Sequence, residues 1–194
     1  MVADAGWRPL QILFFQAGPQ DFPYSPQLSR ALAAVCAVAT ALLLQILVPM
    51  PVAIAVAIVS VAVVASLTQT LLNLRKLPNR FDQTFGALMG VGIVFSLITL
   101  PIALASAPEF LKVMNDPAML ERARTGATPQ IDVSMSVALG WDLVFFWSVA
   151  VLANIFRQAA DFGVAGGVLV VLTLVFVQMI VSSFAAAVVR SAIG

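Results

Sequence analysis

The chain has 194 residues, 61% of them hydrophobic and 10% charged, and a mean hydropathy of +1.03. A soluble domain carries about 25% charged residues and has too little core to hide so much apolar surface, so a soluble globular fold is excluded and a lipid-embedded one is indicated. A net charge of +1 gives no basic stripe for nucleic acid. The absence of histidine and the single cysteine, Cys36, remove the usual metal ligands, histidine-dependent nucleophilic catalysis and any intrachain disulfide.

In chain order, residues 1–27 form a segment distinct from a membrane domain over 28–194. Its only basic residue is Arg8, with no basic run before a short apolar core, so no signal cleavage is expected. Trp7, Leu10 and Phe14 fall at helical spacing and predict an interfacial amphipathic helix. The stretch Asp21 to Pro26 reads as an extended link, because each proline biases its predecessor away from helix.

Five apolar stretches follow, and they predict an all-α polytopic bundle. Ala31 to Val48 is free of charge, and its eighteen residues reach about 27 Å as a helix, close to the thickness of a hydrocarbon core. Pro49 and Pro51 end it and make a tight hairpin with the second span, Val52 to Leu72. A polar link with Arg75, Lys76 and Arg80 leads to the third span, Thr84 to Ala105. The polar segment 106–136 should be a loop, with a short surface helix after Asp116 and Pro117 that leaves at Gly126. The fourth span runs Val137 to Phe156, with Trp141 near an interface. The fifth runs Phe162 to Val189, twenty-eight residues without a charge, long enough to tilt.

Basic residues set the orientation. With the N-terminus in the cytoplasm, the inner side holds Arg8, Arg30, Arg75, Lys76, Arg80 and Arg157, and the outer side Lys112, Arg122, Arg124 and Arg190. The excess inside predicts a cytoplasmic N-terminus in a membrane of the bacterial inner (plasma) type.

No catalytic, cofactor-binding or metal-binding residues are assigned. Cys36 lies in an apolar run and reads as an inert buried thiol. Asp142 is the one acid within a predicted span and is the candidate intramembrane polar site; its neighbour Trp141 favours a hydrated place at headgroup level. Arg157 and Asp161 stand four apart and can pair. Gly86 with Gly90, and Gly163 with Gly167, form two G-x-x-x-G patterns that let helices approach closely in lipid. Gln45, Gln69, Asn154 and Gln178 are expected to hydrogen-bond between helices.

Two stretches carry a family likeness. Arg80 to Leu88 (Arg-Phe-Asp-Gln-Thr-Phe-Gly-Ala-Leu) and Trp141 to Gly163, in a five-helix layout from Leu28 onward, resemble bacterial relatives of the Yip-type (Rab-interacting) membrane domain. The resemblance implies a membrane organising or trafficking adaptor without catalytic residues. The sequence reading is therefore a non-enzymatic membrane adaptor, with membrane lipids and other membrane proteins or a second copy as partners. Its alternative is a transporter, or the membrane subunit of one, for an apolar or lipid-like substrate.

Overall fold

A computed structural model describes residues 2–116, 125 and 133–193. Among these the fold is all-α: α1 (Val2–Leu13), α2 (Pro26–Leu44), α3 (Met50–Leu74), α4 (Phe81–Asn115), α5 (Met135–Ala159) and α6 (Val164–Ile193). The last five are long and apolar enough to cross a membrane, as expected from the apolar runs.

Several boundaries differ from the sequence reading for local reasons. α2 begins five residues before Ala31, because Ser25 caps it by accepting the Leu28 N–H at 3.3 Å and Pro26 occupies the first helical position. At its far end the hydrogen bonds tighten into turns (Leu47 N–H to the Leu44 carbonyl, 2.9 Å) before Pro49 starts α3. α4 does not stop at Ala105. It continues through Pro101 and Pro108 to Asn115, so the loop expected over 106–136 opens with ten residues of helix. Polarity there marks departure from lipid, and Glu109 pairs with Lys112 one turn on. The short helix expected between Asp116 and Gly126 falls largely on residues 117–124 and 126, outside the described residues.

The five long helices close a ring in the order α2, α3, α6, α5, α4, each packed on two neighbours, with a lesser contact between α3 and α4 across the middle. Antiparallel succession gathers Arg30, Arg75, Lys76, Arg80 and Arg157 at one end of this ring, called here the basic end.

Residues 1–27, set apart in the sequence reading, pack into the bundle. Ile12, Leu13 and Phe22 are fully buried, in one cluster with Leu88, Val91, Val151 and Phe156. α1 runs alongside α4. Pro9 meets Gly90, and the Leu13 carbonyl accepts the Trp147 indole N–H at 3.2 Å. Gly90 lies eight residues beyond Asp82 and Trp147 ten residues before Arg157, so the helix tip sits roughly 15 Å in from the basic end. There the chain reverses. Phe15 is left-handed (φ 60°), Gln16 N–H bonds the Gln11 carbonyl at 2.8 Å, and Phe15 N–H bonds that of Ile12 at 3.0 Å. This pair of bonds is the Schellman ending, which satisfies carbonyls that lipid could not. The chain returns to the basic end at Pro19–Asp21, where Gln20 bonds Gln158 across 3.1 Å. The segment is thus a re-entrant helical hairpin. Trp7 and Phe14 keep an exposed apolar face, as an amphipathic helix would, but its opposite face meets protein.

Candidate functional site

Two concave regions are built by these elements. The first lies at the basic end, where Arg75 and Arg80 close the C-terminus of α5. The Arg75 Nε–H donates to the Ala160 carbonyl at 2.9 Å, and its guanidinium lies 4.9 Å from the centre of the Phe162 ring. Arg80 donates to the Ala159 carbonyl at 3.1 Å and to the Asp161 carboxylate at 3.2 Å. The last carbonyls of a helix carry partial negative charge, so a guanidinium fork suits them. Beneath, Leu72, Ala159 and Ala160 form a small apolar cluster with Leu77 and Phe162, each of which follows a left-handed residue, Lys76 or Asp161. Beside Arg80 a solvent-open pocket of about 360 Å³ is lined by Gln20, Gln83, Thr84, Gln158 and Asp161, among others. The cation that lines it, Arg80, is already engaged by the Ala159 carbonyl and the Asp161 carboxylate, so the rest of the lining is mainly neutral amide and hydroxyl groups.

The second region lies among the five long helices and opens to the outside at least as widely as the first. A partly open cavity of about 310 Å³ is lined from all five long helices. α2 contributes Cys36 and Thr40. α3 adds Ser60, Val61 and Val64, and α4 adds Leu88, Met89 and Gly92. Leu152 comes from α5, and Leu174, Val175 and Gln178 from α6. The wall is apolar apart from a few polar atoms, and no Asp, Glu, Lys or Arg lines it. Gln178 donates both amide hydrogens, one to the Ser60 hydroxyl on the neighbouring α3 and one to the Ser182 hydroxyl at 3.0 Å. Its Oε1 is buried and has no partner. A buried amide oxygen left so costs about 1–3 kcal/mol.

The residues singled out in the sequence distribute unevenly over these regions. Gly86 and Gly90 do mark a close approach within the protomer, but to the re-entrant hairpin. A Cβ on Gly86 would lie 2.9 Å from the Phe22 ring, and one on Gly90 2.8 Å from Pro9. Gly167 brings α6 against α5, since a Cβ there would overlap the Ala153 carbonyl. Gly163 is corrected: a Cβ there would meet nothing within 4 Å, because it sits in the turn before α6. Asp142 is exposed on α5 between Trp141 and Leu143 and does not face the ring interior. Trp141 bonds Ser106 of α4 at 3.3 Å.

Asp161 pairs with Arg80 rather than with Arg157. Of the four neutral polar residues expected to link helices, Gln178 does so. Gln69 bonds Asn73 within α3, and Gln45 is exposed at the end of α2. Asn154 borders a shallow space between α5 and α6. Ser60 and Thr40 were not singled out by sequence reasoning; a hydroxyl inside an apolar run is a weak signal until its partner on another helix is known. Among the described residues no group of three or more His, Cys, Asp or Glu could hold a metal.

Set against protein-family models, curated proteins and solved structures, the chain matches none. The ring, its cavity and the basic end therefore carry the functional argument.

Proposed function

We propose that the protein is a non-enzymatic integral membrane protein that holds an apolar, lipid-like molecule within its ring of spans, as a transporter or the membrane subunit of one would. The observation that carries this reading is the cavity of about 310 Å³ lined by all five long helices, apolar with a few convergent polar atoms. Ligand sites have this make-up and begin at about this size. A lipid-like occupant needs no intramembrane charge, in keeping with a wall that has none. The basic end faces the cytoplasm under the positive-inside rule, in a membrane of the bacterial inner type.

The test is native mass spectrometry of the protein released from its own membrane in mild detergent. The wild type should retain a discrete apolar adduct that Val64→Phe, which fills the cavity, loses while keeping the same melting profile. An identical adduct pattern in both proteins would overturn the reading.

A second reading, a membrane adaptor acting on other membrane proteins or on a second copy, draws on the solvent-open polar pocket beside Arg80. The likeness of Arg80–Leu88 and Trp141–Gly163 to the Yip-type domain would fit it. It expects a protein partner that is lost when Gln83 and Gln158 are both replaced by alanine, with cavity occupancy unaffected.

A further inference from the structure

The basic end carries a cation that the fold does not use. Arg75 and Arg80 are committed to the carbonyls at the end of α5, and Arg80 also to Asp161. Arg157, near the same end of α5, is exposed and has no ion pair or side-chain hydrogen bond among the described residues. Asp161, four residues on, is turned to Arg80 instead. Arg157 stands at the head of a groove of about 220 Å³ between α5 and α6, lined by Ala150, Ala153, Asn154, Arg157, Val164 and Val168. The α5 members fall at the spacing of one helical stripe, and the two valines lie one turn apart on α6. Gly167 lets α6 close on Ala153 and on the stem of Arg157, which brings the two walls together. Ala150 and Val164 are exposed, so the groove is open to the surroundings of the bundle. At a helical rise of about 1.5 Å per residue, Asn154 lies roughly 4.5 Å deeper than Arg157, and Ala150 roughly 10 Å deeper.

We propose that this groove binds an anionic phospholipid from the leaflet at the basic end, with its phosphate on the Arg157 guanidinium and one acyl chain along Ala150, Ala153 and Val168. The site is separate from the cavity among the five helices and does not depend on what that cavity holds. A guanidinium fork matches two phosphate oxygens at once, and the long arginine stem lets it reach headgroup level while its methylenes stay on apolar surface. Asn154 also has no side-chain hydrogen bond among the described residues. One turn below the phosphate is the level of the glycerol esters, whose carbonyls can accept from its amide. The alanine and valine side chains below offer hydrocarbon to the chain and nothing polar. The groove contains no Asp or Glu, so the ammonium of a zwitterionic headgroup finds no counter-charge there, whereas a net negative headgroup neutralises Arg157. A Cβ on Gly163, next to Val164, would meet open space, so the protein leaves room for the headgroup. Basic pockets between spans on the cytoplasmic side are suited to such headgroups.

The test uses the full chain, purified in mild detergent, and native mass spectrometry to follow bound lipid as phosphatidylglycerol or phosphatidylcholine of identical acyl chains is added. The wild type should hold its first phosphatidylglycerol about five- to tenfold more tightly than phosphatidylcholine, the scale of one basic side chain against an anionic headgroup. Arg157→Gln should abolish that preference and Arg157→Lys should keep part of it. Arg30→Gln, which removes an exposed cation of the same end outside the groove, should leave the preference unchanged. Val168→Phe, which fills the apolar part of the groove, should weaken the first phosphatidylglycerol with Arg157 still in place. No preference in the wild type, or an equal loss in Arg157→Gln and Arg30→Gln, would overturn the site and leave only general attraction of anionic lipid to the basic end. Displacement of the bound lipid by excess inorganic phosphate would overturn the part given to the acyl chain.

Discussion

Gly90 is where the re-entrant hairpin depends most on a missing side chain. Its Cβ position lies 2.8 Å from Pro9 Cγ and 3.8 Å from the Phe22 ring. Carbon atoms pack at about 3.5–4.0 Å, so even alanine requires Pro9 to retreat by several tenths of an ångström, and leucine adds three more carbons in the same direction. Overpacking of this kind costs about 1–3 kcal/mol. The usual hydrophobic term gives little help in holding the hairpin down, because lipid is as apolar as the groove it would leave. Gly90→Leu should therefore free the hairpin from α4 and lower the melting temperature in detergent by several degrees, at roughly 2–4 °C per kcal/mol for a chain of this size. Amide hydrogen exchange gives an independent readout. The Gln16 N–H, bonded to the Gln11 carbonyl at 2.8 Å where α1 ends, should exchange faster in the variant. Gly163→Leu is the matched control, since its Cβ meets open space. Unchanged melting and unchanged exchange at Gln16 in Gly90→Leu would refute the docking of the N-terminal segment.

Three further outcomes follow from the same framework. Reporter fusions after Asn79, Thr125 and Gly194 should read cytoplasmic, external and external; a cytoplasmic signal at Thr125 would reverse the orientation. Asp142→Asn should leave membrane abundance and the retained apolar adduct within error of the wild type, because the residue is exposed on α5; loss of the adduct with normal abundance would place it in the binding path. Arg80→Ala removes donors to the Ala159 carbonyl and the Asp161 carboxylate and should destabilise the basic end by about 1–2 kcal/mol, discounted for partial solvent exposure, with Arg80→Lys restoring only part; an unchanged detergent melt would show that the α5 terminus needs no guanidinium.

The number and class of the spanning helices were legible because five charge-poor runs of membrane length leave few other structures in lipid. The ends of those runs were less legible. Hydropathy reports where a helix leaves lipid, whereas capping reports where it begins and stops, as at Ser25–Pro26 and in the continuation of α4 to Asn115. The glycines of α4 signalled a close approach without naming the partner. Pro9 and Phe22 are distant in sequence, and Trp7, Leu10 and Phe14 suggested a helix resting on lipid, whereas its neighbours Ile12 and Leu13 bury it against protein. The cavity was the least visible feature. Gln178 stood out as a polar residue in an apolar span, but Ser60 acquires meaning only when α3 and α6 are neighbours in the ring, which is a property of the fold and not of either segment alone.

The central claim, a ring of five spans around an occupied lipid-like site, is tested most directly by electron cryo-microscopy of the protein in lipid nanodiscs, with a bound antibody fragment for alignment. The account predicts helices in the circular order α2, α3, α6, α5, α4 and an elongated density in the cavity, against Val61, Val64, Leu88 and Leu174. A ring in that order whose cavity is closed by its own side chains would contradict it.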